Sequence, residues 1–367
     1  MVAPIRTTED WLAHDGMIID VRSPSEFRDD HIPGAINLPV LSDQERADVG
    51  RIYKQVSPFE ARKLGARLAA VNIARHIETT LSQYDTNLRP LIYCWRGGQR
   101  SGSMARILAE IGWVVTVLDG GYKRYRQHVM DAIDRIPPEL DLIVLQGATG
   151  SAKTRILRAV LAAGGQAIDL EGLACHRGSL LGHEPGRPQP SQRFFETCLH
   201  ETFLNLTPDK PVLIEAESSR IGSCHIPRML WQRMQDAPQI RITASRDTRV
   251  EFLLRDYAHL IENPSQLDRL FDGMVKRHGH EICESWRQLA RARQWHQLVG
   301  LLIEQHYDPA YATTSARREG EDLGEIKAKE LSDNDMPELA KKVMAAMQGA
   351  PERKKYVFGL ASGDDLV

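Results

Sequence analysis

The chain has 367 residues, which is too long for one ordinary hydrophobic core and predicts two or three domains. Apolar residues make up 42% and charged residues 26% of the sequence, a balance typical of globular proteins, and no apolar run approaches the ~20 residues that span a bilayer. The formal net charge of −2 argues against a protein that coats duplex nucleic acid through its phosphates, although it is compatible with a local basic groove.

The start of the chain and its cysteines bear on the cellular compartment. Residues 1–10 carry charges and lack the apolar run of a signal peptide. The sequence has five scattered cysteines without Cys-x-x-Cys spacing, namely Cys94, Cys175, Cys198, Cys224 and Cys283. This pattern favours neither a disulfide framework nor a structural zinc site. We therefore expect a reduced, cytoplasmic protein with no membrane segment and no structural zinc site.

The first third of the chain alternates between strand and helix patterns. The predicted strands or extended stretches cover residues 16–21, 32–41, 90–93 and 114–118. The predicted helical stretches cover residues 42–83 and 100–111. Because strands alternate with helices, the pattern predicts a mostly parallel sheet covered on both faces.

The pattern restarts after Ile-Pro-Pro at residues 136–138, where we place a domain boundary. The first domain is expected over residues 1–136 and a second α/β domain over 137–310. In the second domain the predicted strands are 141–145, 168–170 and 211–215, the first helix is 153–163, and the stretch 247–305 is chiefly helical. Residues 311–367 are charged and poor in aromatics, so we expect a partly ordered tail with one amphipathic helix over 338–347.

A strand that delivers a cysteine into a glycine-containing turn is the first feature with chemical meaning. Residues 94–101 read Cys-Trp-Arg-Gly-Gly-Gln-Arg-Ser and lead into a predicted helix. The thiolate is the nucleophilic form of cysteine, and inward-pointing backbone N–H groups with a helix N-terminus stabilise its charge. The same arrangement binds an oxyanion. We therefore predict Cys94 as the nucleophile, held in an anion cradle formed by Trp95, Arg96, Gly97, Gly98, Gln99 and Arg100.

Individual residues of this loop have expected roles. Gly97 and Gly98 permit the backbone angles that the turn requires, and Arg96 and Arg100 supply fixed positive charge. Trp95 stands beside the nucleophile, where its ring stacks on a nucleobase or packs into the fold. For the other four cysteines the surroundings predict inert, buried thiols.

Four blocks of sequence, in order, closely resemble a rhodanese domain. They are residues 19–27 (Ile-Asp-Val-Arg-Ser-Pro-Ser-Glu-Phe), residues 31–39 (His-Ile-Pro-Gly-Ala-Ile-Asn-Leu-Pro), the Cys94 loop and residues 118–121 (Leu-Asp-Gly-Gly). The resemblance implies that Cys94 carries a transferable chalcogen as a persulfide-type adduct. It also implies that Asp20 and Arg22 organise the loop from the neighbouring strand end.

The loop departs from the common rhodanese pattern in length. Common rhodanese loops read Cys-x-x-Gly-x-Arg-Ser, whereas Arg100 lies six positions after Cys94. This Cys-x5-Arg spacing is similar to that of rhodanese-fold cell-cycle phosphatases, which keeps a phosphatase reading open. A wider cradle also fits a larger anion, or selenium in place of sulfur.

Residues 147–154 read Gly-Ala-Thr-Gly-Ser-Ala-Lys-Thr between a predicted strand and a predicted helix, which is the context of a P-loop. Backbone N–H groups of such a turn point at phosphate oxygens, Lys153 supplies a point charge, and Thr154 is a candidate Mg²⁺ ligand. The pattern has a glycine where this chain has Ala152, and alanine is tolerated there if its φ is negative. The predicted phosphate-binding residues are Gly147, Thr149, Gly150, Ser151, Ala152, Lys153 and Thr154.

Other residues are weaker candidates for this second site. Glu215 and Glu217 end an apolar strand, where a P-loop protein often carries its metal-orienting carboxylate and where a solvated strand end is the alternative. Three arginines near the start of a predicted helix are candidates to close over phosphates, although surface arginines fit the same pattern: Arg246, Arg249 and Arg255. The last two candidates are His176 and Arg177.

The two motifs in this order are similar to the bacterial tRNA 2-selenouridine synthase family, and the similarity covers roughly residues 10–310. Supporting blocks lie within residues 45–55, 169–179 and 189–192. The resemblance implies a rhodanese-like parallel-sheet domain followed by a P-loop NTPase-like α/β domain with a helical C-terminal part. It implies replacement of sulfur by selenium at C2 of a wobble 2-thiouridine in a tRNA anticodon loop. Selenophosphate would be the donor, and an S-geranyl intermediate would come from geranyl diphosphate.

These expectations leave rival functions open. We expect no tightly bound cofactor, with Mg²⁺ as a candidate at the P-loop. One alternative is a Cys-x5-Arg phosphatase joined to a regulatory nucleotide-binding domain. A second is a sulfurtransferase, sulfur carrier or RNA-binding module gated by the P-loop domain. A third is a P-loop kinase with an accessory rhodanese domain.

Overall fold

A computed structural model describes residues 2–178, 182, 186–208, 210–216, 218–262, 265–315 and 320–349. The chain forms two compact units. The first comprises the residues up to Ala132 together with Pro190–Glu201, and the second comprises Ile133–Gln189 and the described residues from Thr202 onward. Within the described ranges, no helix has the length and apolar character needed to cross a membrane.

The first unit is built on a five-stranded parallel sheet, which confirms the predicted fold class. Its strands are β1 (Ile5–Thr8), β2 (Ile18–Asp20), β3 (Ile36–Asn37), β4 (Leu91–Tyr93) and β5 (Val115–Leu118). They lie in the order β1-β5-β4-β2-β3, and every neighbouring pair is parallel. Ile19 of β2 pairs with Ile92 of β4, and both side chains are fully buried. The central strand β4 therefore delivers Cys94 from the middle of the sheet.

Helices cover this sheet, and one of the predicted stretches is divided. The helices are α1 (Pro24–Asp29), α2 (Asp43–Gln55), α3 (Pro58–His76, continued by a π-helical turn at Ile77–Leu81), α4 (Gln99–Ile111) and α5 (Gly121–Arg135). The helical pattern predicted over 42–83 is confirmed, and it forms two helices because Pro58 has no backbone N–H to continue α2. Ser57 caps the new helix, its Oγ accepting a hydrogen bond from the amide of Phe59 at 3.1 Å.

A segment that follows the P-loop motif in sequence packs with the first unit. Arg193 donates to the carboxylate of Asp29 at 2.7 Å, and the ring of Phe194 stacks on His31 with centroids 4.7 Å apart. The prediction included residues 190–201 in the P-loop domain, and the structure differs because these side chains bind residues of the rhodanese-like sequence.

The second unit contains another five-stranded parallel sheet. Its strands are β6 (Leu142–Gln146), β7 (Gln166–Ile168), β8 (Val212–Glu215), β11 (Gln239–Ala244) and β12 (Asp322–Ala328), and a short antiparallel hairpin is formed by β9 (Arg220–Ile221) and β10 (Cys224–His225). The sheet order is β12-β11-β6-β8-β7. The strand predicted at 168–170 ends at Ile168 because Asp169 caps the next helix, its carboxylate accepting from the amide of Gly172 at 2.7 Å.

Helices dominate the rest of this unit, as predicted. They are α6 (Lys153–Ala162), α7 (Leu170–Leu173), α9 (Arg228–Gln235), α10 (Arg246–Asp256), α11 (Ala258–Glu262), α12 (Ser265–His278), α13 (His280–Arg291), α14 (Trp295–Leu302), α15 (Asp308–Ser315) and α16 (Met336–Gln348), with a 3₁₀ turn at Pro137–Glu139 and a π-helical turn at Ile303–Tyr307. Helix α8 (Gln192–Leu204) belongs to the first unit up to Glu201 and to the second from Thr202. Phe271 of α12 and Trp286 of α13 are fully buried in a separate apolar cluster. This cluster is the core of the helical C-terminal part.

The segment predicted as a tail contributes to the core of the second unit. β12 pairs with β11 in parallel, matching Ile242 with Ile326. Leu339 and Val343 of α16 are buried in the same cluster as β6 and α6 residues. The described part of 311–367 therefore completes the P-loop domain, and α16 covers a face that this domain would otherwise expose to water.

A substitution in α16 tests this packing. We expect Leu339→Ala to lower the free energy of unfolding of the second unit by about 2–5 kcal/mol, because it removes a buried side chain and leaves a cavity. Lys342→Ala is the matched control, since Lys342 is on the same helix but half exposed, and it should change stability by less than about 0.5 kcal/mol. Urea unfolding followed by circular dichroism measures both. Equal, small effects would contradict the packing of α16.

Candidate active sites

The Cys94 loop connects the end of β4 to the start of α4 and rests on the turn that follows β5. The amide of Tyr122 donates to the carbonyl of Cys94 at 2.8 Å, and the amide of Lys123 donates to that of Trp95 at 3.0 Å. Gly97 has a φ of +68°, and a Cβ on it would lie 2.7 Å from the carbonyl oxygen of Leu118. The backbones are therefore too close for a side chain, which explains why the loop and the Asp-Gly-Gly turn occur together in the sequence.

The sulfur of Cys94 lies at the floor of the loop with 4% of its residue surface exposed. It accepts hydrogen bonds from the amide of Gly98 and the hydroxyl of Ser101, each at 3.3 Å. Burial raises the pKa of the thiol, but hydrogen bonds from Ser101 and from the amides of Arg96 and Gly98 outweigh it and hold the pKa below its usual value. The site therefore favours the nucleophilic thiolate. Ser101 was missed as a functional residue, although it stands in the loop sequence.

The side chains of Asp20 and Arg22 are buried together at the end of β2. Arg22 donates to the Asp20 carboxylate at 2.6 Å and to the carbonyl of Asp30 at 2.6 Å. Burial lowers the pKa of Arg22, but its hydrogen bond to Asp20 raises it above the usual value, so the guanidinium keeps its charge. The guanidinium carbon lies 3.9 Å from the ring centroid of Tyr122, whose amide bonds the Cys94 loop. The pair thus reaches the loop through Tyr122.

Arg100 is held by a carboxylate that the sequence reasoning missed. Its guanidinium donates to Glu26 at 2.8 Å, and Arg46 lies 3.1 Å from the same carboxylate. Burial raises the pKa of Glu26, yet the hydrogen bond from Arg100 lowers it below the usual range. Two cations on one carboxylate leave net positive charge beside the sulfur. No local signal links Glu26 to Arg100, because they are far apart in sequence.

These residues surround a cavity of about 730 Å³ that opens to solvent above the sulfur. It is lined by Glu26, Arg46, Cys94, Trp95, Arg96, Gly98, Gln99 and Arg100. Trp95 is 36% exposed and its ring lies 5.2 Å from that of Tyr122, so it packs on one side and is open on the other. The cavity thus joins a thiolate, several cations and an aromatic surface.

The P-loop lies between β6 and α6 in the second unit, and its glycines are required by close contacts. A Cβ on Gly147 would lie 2.3 Å from the hydroxyl of Ser151, and Gly150 has a φ of +84°. Ala152 has a φ of +59°, so the expectation of a negative φ at this position is wrong. An alanine in the left-handed region is strained by roughly 1–2 kcal/mol. Residue 152 therefore has the backbone conformation typical of glycine, although it is an alanine.

The polar side chains of the loop bond to neighbouring groups. The ammonium of Lys153 donates to the carbonyl of Gly147 at 2.9 Å, and the hydroxyl of Thr154 donates to Glu171 at 2.5 Å. Glu171 was missed by the sequence reasoning, and burial raises the pKa of its carboxyl above the usual value. Glu215 accepts from the amide of Glu171 at 2.8 Å. Glu217 lies outside the described residues.

The predicted arginines of α10 are not all at the phosphate site. Arg249 donates to the carbonyl of Thr149 at 2.8 Å and pairs with Asp308 at 2.6 Å, so it holds the backbone of the P-loop. Arg246 forms an ion pair with Glu304, and Arg255 donates to the carbonyl of Leu331 at 2.9 Å. Neither Arg246 nor Arg255 lines the P-loop cavity, so of the three arginines only Arg249 bonds the loop.

Other cations line the cavity of about 730 Å³ at the P-loop. Its basic residues are Lys153, Arg155, Arg158, Arg177, Arg187 and Arg277. Two of its acids are Glu171 and Asp256. His176 also lines it, and Arg177 is oriented by an ion pair with Asp256 at 2.8 Å. The excess of cations suits a diphosphate or polyphosphate.

The titration of Cys94 is a direct test of the first site. We expect the rate of alkylation by iodoacetamide to rise with pH around a midpoint below that of free cysteine, about 8.5. Ser101→Ala removes a hydrogen bond that favours the thiolate, so it should raise this midpoint. The other cysteines are subtracted with Cys94→Ser protein. Coincident curves for Ser101→Ala and the unaltered protein would contradict the role of the hydroxyl.

The backbone of Ala152 can be tested by stability. Glycine relieves the left-handed strain at this position, which offsets the entropy that glycine adds to the unfolded chain, so Ala152→Gly should be neutral or stabilising. Ala159→Gly, within the same helix α6, is the control and should lower the free energy of unfolding by about 1 kcal/mol. Urea unfolding compares them. An equal loss in both variants would indicate a negative φ at Ala152.

Comparison with known proteins finds two domains in the chain. Residues 7–128 match a family model described as a rhodanese-like domain, and residues 140–276 match one described as the tRNA 2-selenouridine synthase AAA domain. Both matches confirm the predicted order of domains.

Individual relatives also match the chain. A tRNA 2-selenouridine synthase of Cupriavidus pinatubonensis (strain JMP 134 / LMG 1197) is 34% identical over 335 residues, covering 82% of this chain and 89% of the relative. One of Alcanivorax borkumensis (strain ATCC 700651 / DSM 11573 / NCIMB 13689 / SK2) is 33% identical over 354 residues, covering 87% and 95%. A third, of Nitrosomonas europaea (strain ATCC 19718 / CIP 103999 / KCTC 2705 / NBRC 14298), is 36% identical over 247 residues, covering 66% and 64%. The chain therefore belongs to the tRNA 2-selenouridine synthase family.

Proposed function

We propose that this protein is a tRNA 2-selenouridine synthase that replaces sulfur by selenium at C2 of a wobble 2-thiouridine. The observation that carries the proposal is the Cys94 sulfur, which accepts hydrogen bonds from Gly98 and Ser101 in a cation-lined cavity. The relatives bearing the name of this activity support the choice of acceptor and cargo. A wobble base lies in a single-stranded loop, so presenting it to such a cavity requires little unstacking.

The electron count restricts what Cys94 does with selenophosphate. Forming a sulfur–selenium bond on a cysteine removes two electrons and requires an added oxidant. Attack of the Cys94 thiolate at phosphorus requires none, because a sulfur–phosphorus bond forms, the selenium–phosphorus bond breaks, and selenide leaves with the electron pair. Water then releases phosphate from the cysteine. The Cys-x5-Arg loop, with amides that already bond the sulfur, suits this phosphoryl capture.

The released selenide then replaces the sulfur of the base. Its selenium forms a bond to C2 while the carbon–sulfur bond breaks, and the sulfur leaves with the electron pair. A geranyl group on that sulfur makes it a better leaving group than an unmodified thiocarbonyl. Trp95, exposed beside Cys94, offers a stacking surface for the base in this step.

The P-loop cavity suits the preparation of that leaving group from geranyl diphosphate. The sulfur of the base attacks the first carbon of the geranyl group, and diphosphate leaves with the electron pair of the broken carbon–oxygen bond. Lys153 and the loop amides neutralise the diphosphate as it departs. The cavity also contains apolar surface for a geranyl chain, contributed by Phe252, Leu253, Tyr257, Tyr307 and Tyr311.

The oxygen donors beside the P-loop fit a Mg²⁺ ion bound together with a diphosphate. The hydroxyl of Thr154 and the carboxylate of Glu171 lie 2.5 Å apart, and Glu215 bonds the amide of Glu171. Among the described residues no cluster of three or more His, Cys, Asp or Glu side chains forms a cation site. One or two carboxylates, a hydroxyl and substrate phosphates are the ligands that Mg²⁺ commonly takes. The ion would supply charge neutralisation at the leaving diphosphate.

Separate variants of the two sites test the proposal. Cys94→Ala should abolish selenouridine formation on thiolated tRNA while S-geranylation continues, because the P-loop site is intact. Lys153→Ala should instead lower S-geranylation at least tenfold, because it removes the charge facing the diphosphate. Mass spectrometry of the wobble nucleoside measures both products.

Two outcomes would contradict the proposal. Selenouridine made by Cys94→Ala protein would remove the nucleophile from the mechanism. Unchanged geranylation by Lys153→Ala protein would remove the P-loop assignment. If the unaltered protein makes no selenouridine but releases phosphate from an aryl phosphate, and Cys94→Ser abolishes that release, the phosphatase alternative is correct.

A further inference from the structure

A larger groove of about 1390 Å³ opens beside the Cys94 cavity in the first unit. It lies between the α2–α3 hairpin and the first turns of α4, as its lining residues show. Four residues line both spaces: Arg46, Gly98, Gln99 and Arg100. A molecule whose reacting atom reaches Cys94 can therefore continue along the groove without leaving the protein surface.

The groove is strongly basic, in contrast to the chain as a whole. Among the residues that the structure describes, no carboxylate lines the groove. Six cations line it, namely Arg46, Arg51, Lys54, Arg62, Arg100 and Arg106. Within the same described part of the chain, no carboxylate lies within ion-pair distance of Lys54, Arg62 or Arg106, and all three are exposed. Cations gathered on one side of a chain with net charge −2 indicate an anionic ligand.

The groove also presents an aromatic side chain to solvent. Tyr53 of α2 lines it and is 57% exposed, while Trp95 is 36% exposed in the adjoining cavity. Apolar residues such as Val49 and Ala61 also line the groove. A positively charged groove with exposed aromatic rings is the arrangement by which proteins bind single-stranded nucleic acid, with phosphates on the cations and bases on the rings.

We propose that this groove binds the single-stranded RNA adjoining the reacting base. The inference rests on the proposed function, since it takes the acceptor of the Cys94 site to be a base in an anticodon loop. Phosphates of the flanking nucleotides lie along Lys54, Arg62 and Arg106, and one base stacks on Tyr53. A strand entering this way places the wobble base over the Cys94 cavity, because the two spaces are continuous.

The salt dependence of RNA binding tests the proposal. The probe is an anticodon stem-loop RNA with 2-thiouridine at the wobble position, and the dissociation constant is measured by fluorescence anisotropy over a range of salt concentrations. The variant Lys54→Gln/Arg62→Gln/Arg106→Gln removes three cations. It should lower the slope of log Kd against log salt by about 2, since each phosphate contact on a single strand contributes roughly 0.7.

The control variant alters two cations that lie outside the groove on α3, the helix that carries Arg62. Lys63→Gln/Arg67→Gln alters two exposed residues of α3 that do not line the groove, so the affinity and slope should equal those of the unaltered protein. Tyr53→Ala should weaken binding about tenfold and Tyr53→Phe should restore it, because stacking requires the ring and not the hydroxyl. Melting curves establish that each variant is folded.

The outcomes separate this inference from the proposed function. If the unaltered protein makes selenouridine and the triple variant keeps its affinity and slope, the groove assignment is wrong and the function stands. If the triple variant shows the expected loss of slope but the unaltered protein makes no selenouridine, the groove assignment stands and the proposed reaction is wrong. If the triple variant loses affinity for polyglutamate but binds the RNA as tightly as the unaltered protein, the groove binds an acidic protein and the inference is wrong.

Discussion

Both candidate sites depend on one constraint, a parallel strand that ends in a tight turn and leads directly into a helix. The turn directs consecutive backbone N–H groups toward one point, and the helix adds its positive end. At Cys94 this point is occupied by a sulfur of the protein itself, which accepts the amide of Gly98. At the P-loop the same geometry is available to a phosphate. One backbone arrangement thus stabilises a nucleophile in one unit and is suited to a leaving group in the other.

The tightness of these turns determines which residues they tolerate. A Cβ on Gly121 would lie 2.3 Å from the carbonyl oxygen of Cys94, and one on Gly147 would lie 2.3 Å from the hydroxyl of Ser151. At these positions a side chain would push the backbone apart and move the amides away from the anion. Ala152 is different because its Cβ is accommodated and only its φ is unfavourable. The strain therefore lies in the backbone of this one residue.

Local sequence was sufficient where short-range contacts decide the structure. The Cys94 loop, the Asp-Gly-Gly turn and the P-loop were predictable because each turn imposes its own residues at fixed spacing. Pairings distant in sequence were not predictable. Arg100 meets Glu26, and Thr154 meets Glu171, through the packing of separate elements of the folded chain. Nothing in a single sequence marks such pairs, because any exposed arginine or glutamate looks the same before folding.

The misplaced C-terminal tail has a similar cause. Strand β12 is at the edge of its sheet and exposes three charged residues, Asp322, Glu325 and Lys327, while only Ala328 is buried, so its composition resembles a solvated segment. Helix α16 is identifiable as amphipathic, but the surface that its apolar face covers is formed by residues far earlier in the chain. Composition therefore describes how much of a segment faces water and not whether the remainder has a partner.

The distribution of charge is a further property that the composition does not show. A net charge of −2 excludes a uniformly basic protein, and the total alone would discourage any RNA-binding hypothesis. The sheet and the α2–α3 hairpin gather cations from distant positions around the Cys94 cavity, while one carboxylate, Glu26, is shared by two of them. Attraction over a Debye length of about 8 Å depends on the charges within that distance and not on the total. The fold therefore creates a local basic surface that the composition conceals, and it does so beside the reacting sulfur.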